Sequence, residues 1–286
     1  MNPEDQNQEK NKLHYEKLYS NYDIKNILYW INNLDSFLES SLSTETSWFA
    51  MYQLNLKTKI VGKKVLEMGC GDCVNAAVMA ALGAEVYAND LAQASGEIVR
   101  KLNENYNFKY PIKFVEGDFL NNNLTSQSFD FIIGKAFLHH LTIPIEQLFL
   151  KETARLLKVD GEARFFEPAV NNKFLDDLRW LIPVKGRPSK FDKAAFKVWK
   201  DNDPHPDRSF SSRHFQKAGE ELFQQIQIIP VGTLERFNKF VTTKTLNIRF
   251  RRWALKNEKR IPDSLNLALT RSQLIIYTNP RLDINI

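Results

Sequence analysis

The residues best equipped for chemistry lie in 65–73, VLEMGCGDC. Gly69 and Gly71 stand where an apolar run gives way to an Ala-rich one. Glycine at a strand-to-helix turn lets the backbone approach a ligand and take dihedrals that other residues avoid. The N–H groups that open the following helix then face that ligand. Asp90 ends the next apolar run, 21 positions after Gly69 (90 − 69). A carboxylate there can accept both hydroxyls of a ribose. Glu67, two residues before the first glycine, aims a negative charge into the same crevice. That charge suits a cationic ligand, such as one carrying an ammonium and a sulfonium, better than a pyrophosphate. The dinucleotide fingerprint G-x-G-x-x-G is incomplete as well, because Val74 stands where its third glycine would be.

Positioning these residues takes a regular scaffold. Strand patterns are predicted at 63–68, 85–90, 112–116, 129–133 and 162–167, and helical patterns between them at 74–82, 92–107 and 145–158. Gly83 stops the first of these helices. The alternation predicts an α/β, Rossmann-like, doubly wound and mostly parallel sheet covered by helices. Two further strands, 225–231 and 273–278, bring it to seven. Four segments follow: an N-terminal helical segment at 1–58, with 1–12 polar and frayed; a ligand-binding core at 59–167; a lid or cap at 168–222; and the last strands at 223–286 with a basic helix between them. The lid is inferred because Pro168, Pro183, Pro188, Pro204 and Pro206 break the rhythm over a stretch too long for an ordinary connection.

Composition narrows the function classes. The chain has 286 residues, 43% hydrophobic and 26% charged, which is ordinary for a globular protein. Its longest apolar run, 76–82, is too short to span a bilayer, and the first residues lack the apolar stretch of a signal peptide. Two cysteines, Cys70 and Cys73, exclude a disulfide framework and suit a reducing, cytoplasmic setting. Their C-x-x-C spacing admits a redox pair or half a zinc site. With no other cysteine and no clustered histidine, two small loop residues are the preferred reading and no metal is expected. The net charge of +5 permits an anionic partner without demanding nucleic acid.

Taken in order, these motifs resemble the class I S-adenosylmethionine-dependent methyltransferases. In that family the first strand ends in an acidic residue followed by G-x-G, as Glu67, Gly69 and Gly71 do here, with Cys73 where a third glycine is usual. Asp90 matches the ribose-binding acid, and Asp118 in EGDF matches the acid that meets the adenine amino group, with Phe119 beside it. The stretch 155–162, RLLKVDGE, resembles the usual turn into the fifth strand. The resemblance implies S-adenosylmethionine as co-substrate, held by Glu67, Gly69, Cys70, Gly71, Asp90, Leu91, Asp118, Phe119 and Lys135. Taken one at a time, an Asp after a strand is often only a helix cap.

Chemistry is expected after the fourth strand, at 134–141 (GKAFLHHL), because ligands of open parallel sheets bind beyond the strands' carboxyl ends. The D/N-P-P-Y/F signature of enzymes that methylate nucleic-acid bases is absent. The stretch resembles the K-x-x-x-H of small-molecule O-methyltransferases, which implies His139 as general base, Glu167 as its orienting carboxylate, and His140 as a substitute. FFEPAVNNKF also resembles the small-molecule group that includes quinone-biosynthesis enzymes, where such histidines are structural. The reading is therefore a small-molecule methyltransferase, with an oxygen acceptor preferred. The rivals are C- or N-methylation of a lipid- or quinone-like acceptor, and a non-catalytic S-adenosylmethionine-binding protein.

Outside this core, His205, Arg208, Arg213 and His214 are candidate acceptor contacts. Packing is preferred for the lid aromatics Trp180, Phe191, Phe196, Trp199 and Phe210, and for Tyr15, Tyr19, Tyr22 and Trp48, which could otherwise close over the ligand. In 245–260, Arg249, Arg252, Lys256 and Arg260 are read as one helical face with Leu246, Phe250 and Trp253 opposite. A solvated amphipathic helix is preferred there over one that meets a membrane surface or a partner. Nothing in the sequence specifies an oligomeric state.

Overall fold

A computed structural model describes residues 3–184, 186–202 and 210–281. The candidates His205 and Arg208 lie outside the described residues. Five helices come first: α1 (Pro3–Tyr19), α2 (Lys25–Asn32), α3 (Leu34–Thr44), α4 (Thr46–Met51) and α5 (Leu56–Lys59). The alternating core is β1 (Lys64–Met68), α6 (Val74–Ala81), β2 (Glu85–Asp90), α7 (Gln93–Asn105), β3 (Lys113–Glu116), β4 (Phe129–Lys135), α8 (Ile143–Leu156) and β5 (Leu157–Pro168). Then follow α9 (Lys173–Leu181), α10 (Lys193–Asp201), α11 (Ser212–Glu220), β6 (Phe223–Val231), α12 (Lys244–Asn257), α13 (Asp263–Leu269) and β7 (Ser272–Pro280).

The seven strands form one sheet in the order β3-β2-β1-β4-β5-β7-β6. Strands β1 to β5 pair in parallel, and β7 runs antiparallel between β5 and β6. The chain steps outward from β1 to β3 and then returns to the other side of β1 with β4. This reversal opens a crevice at the carboxyl ends of β1 and β4, where open α/β sheets bind ligands. Strand β5 begins earlier than its sequence pattern suggests. It pairs with β4 from Leu157 onward, and a register shift between Phe129 and Phe131 accommodates the bulged 158–161 loop.

Central strands of a parallel sheet are covered on both faces, so they read as continuous apolar runs. In β1, residues 65–68 are all buried, Glu67 among them. One face carries α6, α7 and the N-terminal helices, around Val65, Ala77, Val86 and Ile98. The other carries α8 and α11, around Leu66, Ile132, Phe149 and Phe215. Helix α6 is buried from Val74 to Ala80, because α2 packs on its outer side and its alanines let both neighbours come close.

Three expectations change here. The polar N-terminus is helical from Pro3: α1 lies on α7, where Glu16 Oε2 accepts from Ala94 N at 3.3 Å. The stretch 168–222 divides. Helix α11 covers the sheet, with Phe215 buried and Gly219 against the Tyr277 ring, and among the described residues the excursion from the sheet runs over 169–184, 186–202 and 210–211. Within that excursion Trp180, Phe196 and Trp199 form an aromatic cluster, whereas Phe191 is exposed. Side-chain caps set its helix starts: Asn172 accepts from Leu175 N, Asp192 from Ala195 N and Ser211 from His214 N.

Finally, α12 does not bury the face assigned to it. Leu246 and Trp253 are exposed, and the packed seam against α3 is Arg251, Ala254 and Leu255. Glu45 at the end of α3 draws Arg251 inward through two hydrogen bonds of 3.0 Å, and Ala254 permits close approach. The basic and apolar residues read as opposite faces therefore share the outward side.

Candidate active site

The crevice at β1 and β4 is a cleft of about 290 Å³. The glycine turn forms its floor. Gly69 takes φ +63°, and a Cβ there would fall 2.3 Å from the Phe137 ring. Gly71 takes φ +53°, with the Tyr19 hydroxyl 2.9 Å from the place of a Cβ. Both positions therefore exclude larger residues. Cys73 also lies in the left-handed region, at φ +57°, which explains why a glycine would suit it. The Cys73 and Cys70 sulfurs are 3.6 Å apart and both residues are buried as free thiols, with burial pushing both thiols up in pKa.

Glu67 is the unusual group. It is only 2% exposed, and Oε1 accepts from Asn75 Nδ2 at 2.8 Å. Asn75 in turn accepts from the Tyr52 hydroxyl at 3.1 Å. Oε2 is buried with no hydrogen-bond partner among the described residues. Burial pushes the carboxyl up to about 8, against the hydrogen bond from Asn75 and the nearby Lys135 ammonium. Lys135 packs its ammonium over the Trp48 ring, 4.4 Å from the centroid, and burial pushes its pKa down. A buried carboxylate oxygen without a donor is a costly feature unless a ligand satisfies it.

Asp90 closes the other side of the turn. Its Oδ2 accepts from Gly71 N at 2.8 Å and its Oδ1 from Ala92 N at 2.9 Å. Burial raises its pKa while these N–H groups oppose the rise. Each oxygen keeps acceptor capacity for a ligand hydroxyl. Leu91 and Phe119 line the cleft beside it, as do Gly69, Cys70, Gly71, Lys135 and His140.

Asp118 does not line it. Its Oδ1 accepts from Leu120 N at 3.0 Å and its Oδ2 from Asn121 Nδ2 at 3.1 Å, so it caps the short turn Phe119–Asn121. His139 and Glu167 also stand outside the lining. Glu167 is wholly buried, and its Oε1 accepts from Phe137 N at 2.9 Å and Leu138 N at 2.7 Å. Its Oε2 meets His139 N at 3.3 Å and His139 Nδ1 at 2.7 Å. Glu167 thus organises the whole turn after β4 as well as the imidazole. A carboxylate on Nδ1–H leaves the lone pair of a neutral imidazole on Nε2. The Phe210 ring lies 6.1 Å from that of His139.

Among the further lining residues, Asn11 and Lys12 have no signal in the sequence, whereas it offers Tyr15 and Tyr19 only as an alternative to packing. Helix α1 roofs the cleft with Asn11, Lys12, Tyr15 and Tyr19. His140 is clasped by it, with Nδ1 3.2 Å from Asn11 Oδ1 and Nε2 3.4 Å from the Tyr15 hydroxyl. Phe137 and Phe149 complete the apolar wall. Tyr22 reaches Asp72 at 3.5 Å from outside the lining. Among the lid candidates, Arg213 is exposed and His214 Nε2 lies 2.7 Å from the buried Glu146. No group of three His, Cys, Asp or Glu among the described residues is arranged to hold a metal ion.

Residues 65–161 match a family model described as "Methyltransferase domain". No curated protein matches the chain. Among solved structures, the chain is similar to geranyl diphosphate C-methyltransferase from Streptomyces coelicolor A3(2), solved with Mg2+, geranyl diphosphate and S-adenosyl-L-homocysteine. The identity is 14%, the TM-score 0.52, and 82% of this chain and 79% of that one are covered. It is similar also to phosphoethanolamine N-methyltransferase 2 from Haemonchus contortus, solved with phosphomonomethylethanolamine and S-adenosylhomocysteine, at 12% identity and TM-score 0.51, covering 91% of this chain and 61% of that one. The PH0226 protein of Pyrococcus horikoshii OT3 matches at 17% identity and TM-score 0.52, covering 82% of this chain and 89% of that one. At these identities the likeness is one of fold.

Proposed function

We propose, from the premise that this chain carries the domain of a class I S-adenosylmethionine-dependent methyltransferase, that it methylates an oxygen of a small molecule with His139 as general base. The observation that carries the co-substrate's placement is Glu67: a buried carboxyl near the end of β1, just before the glycine turn, whose Oε2 has no hydrogen-bond partner among the described residues. It would take the ammonium of S-adenosylmethionine, and Asp90 the ribose hydroxyls. Gly69, Cys70 and Gly71 would cradle the ligand, with Leu91 and Phe119 against the adenine. Lys135 stands beside Glu67 and limits the negative charge of the site. Bound there, S-adenosylmethionine supplies a methyl group on a sulfonium carbon and leaves as a neutral thioether.

The protein's own work is then to orient the acceptor and exclude water. His139 takes the acceptor's proton on Nε2, and Glu167 holds the tautomer and steadies the imidazolium that forms. The roof of α1, clasped to His140, keeps water from the cleft. The excursion 169–211 supplies acceptor contacts, a reading favoured by Phe210 beside His139. A second reading, transfer to carbon or nitrogen without a base, is favoured by the absence of His139 from the cleft lining. The two similar enzymes named for such acceptors, geranyl diphosphate and phosphoethanolamine, fit it.

The test is methyl transfer from labelled S-adenosylmethionine into a fractionated small-molecule extract, followed by identification of the methylated atom. An O-methyl product whose formation requires His139 supports the first reading. A C- or N-methyl product indifferent to His139→Ala supports the second. No product at all, with S-adenosylhomocysteine bound, would leave a binding protein.

A further inference from the structure

The outward side of α12 presents Trp253 at 54% exposure and Leu246 at 53%, set among Arg249, Arg252 and Lys256. Just before it, Phe240 is 69% exposed at the end of the short turn Glu235–Phe240. Single exposed apolar side chains are ordinary, but several gathered on one side mark an interaction surface. Here burial was available on the α3 side, and that side took Arg251, Ala254 and Leu255 instead.

The charges are sorted in the same way. Residues 236–260 hold nine Lys or Arg and one Asp or Glu, an excess larger than the +5 of the entire chain. The acids around this segment face inward. Glu235 pairs with Arg251 at 2.7 Å. Glu258 is buried and accepts from Gly232 N at 2.8 Å, Leu234 N at 2.9 Å and Glu235 N at 3.1 Å. The outward side is therefore cationic with apolar side chains standing among the charges.

We infer that α12 and the turn before it dock on an anionic lipid surface, with Trp253, Leu246 and Phe240 entering the headgroup boundary and Arg249 and Lys256 meeting lipid phosphates, while Arg252 also reaches Ser43 on α3. An interfacial helix has this make-up, an apolar stripe flanked by Lys and Arg. Lipid fits better than nucleic acid, because Leu246 and Phe240 bring no hydrogen-bonding group to a polynucleotide yet fill an acyl boundary. The place in the fold agrees. Val231 and Pro168 both pair with Ser272, so this segment leaves the sheet at the same end as the 169–211 excursion and the cleft. A docked protein would thus turn its carboxyl-end face toward the lipid.

The test is co-sedimentation of the full chain with vesicles of phosphatidylcholine alone or mixed with phosphatidylglycerol, at low and physiological salt. Binding should require phosphatidylglycerol and weaken with salt. Each basic residue near an anionic surface contributes about fivefold in partitioning, so Arg249→Gln with Lys256→Gln should weaken binding about 25-fold. Trp253→Ala, which gives up only the contact with the Phe250 ring, should weaken binding several-fold and keep the salt dependence. Equal sedimentation with both vesicle types, or no loss in these variants, would overturn the proposal. So would a dimer in sedimentation velocity that Trp253→Ala dissolves, or tight binding of an oligonucleotide without vesicle binding.

Discussion

Protonation of Glu67 should govern co-substrate affinity. The free protein holds this carboxyl at about 8, because burial disfavours the charged form and only Asn75 donates to it. A ligand ammonium at Oε2 reverses that preference, so binding must expel the proton wherever the free carboxyl is protonated. Taking 8 for the free protein and a value below about 5 for the complex, affinity should rise roughly fifteenfold between pH 6 and pH 7.5, allowing for partial loss of the ligand's own ammonium charge near ~7.8. Titration calorimetry of S-adenosylhomocysteine in buffers of differing ionisation enthalpy reads both quantities, and close to one proton should be released per ligand at pH 6. Glu67→Gln should bind weakly with no such dependence. The sign for folding is opposite. A carboxyl raised in the folded state stabilises the unliganded protein fully below the unfolded value near 4.5 and loses that contribution as pH rises toward 8. Unliganded wild type should therefore lose melting temperature across that window relative to Glu67→Gln. Affinity independent of pH, or the same dependence in Glu67→Gln, would refute the assignment of the ammonium to this oxygen.

Other outcomes follow from the same geometry. Asp90→Ala should weaken S-adenosylhomocysteine binding by about tenfold or more through lost charge-assisted hydrogen bonds, read by calorimetry. It should also loosen the turn at Gly71. If an oxygen is methylated, His139→Ala should lower kcat about 100-fold with co-substrate affinity intact, and the rate should fall below the imidazole pKa. A near-normal kcat and an unchanged pH profile would remove the base. Glu167→Ala should destabilise the fold by about 3 kcal/mol or more in urea unfolding, because it strips buried N–H groups of their acceptor. Glu167→Gln should also harm stability, since an amide cannot accept as many N–H donors; orientation of His139 alone would predict a milder loss. Gly69→Ala should abolish ligand binding, because its Cβ meets the Phe137 ring.

Local physics made the core legible. Apolar strands that alternate with amphipathic helices admit few arrangements, and a glycine pair between a strand and a helix marks the ligand turn wherever the sheet stands. Asp90 and Glu67 were readable because each stands near the carboxyl end of a strand that borders the glycine turn. Contacts between distant segments left no such trace. Helix α1 looks frayed from its polar composition, yet it roofs the cleft, because His140, more than a hundred residues on, offers both ring nitrogens to Asn11 and Tyr15. Asp118 carries the family pattern, and only the structure shows that it caps the turn Phe119–Asn121 through Leu120 N and Asn121 Nδ2 and stands outside the cleft lining. Glu167 looked like a partner for one histidine, and only the closeness of β4 and β5 made it the anchor of a whole turn. The burial of α12 was decided last. Its own periodicity admits more than one packed face, and the Glu45 carboxylate on α3 selected the one with Arg251, leaving Trp253 and Leu246 in solvent.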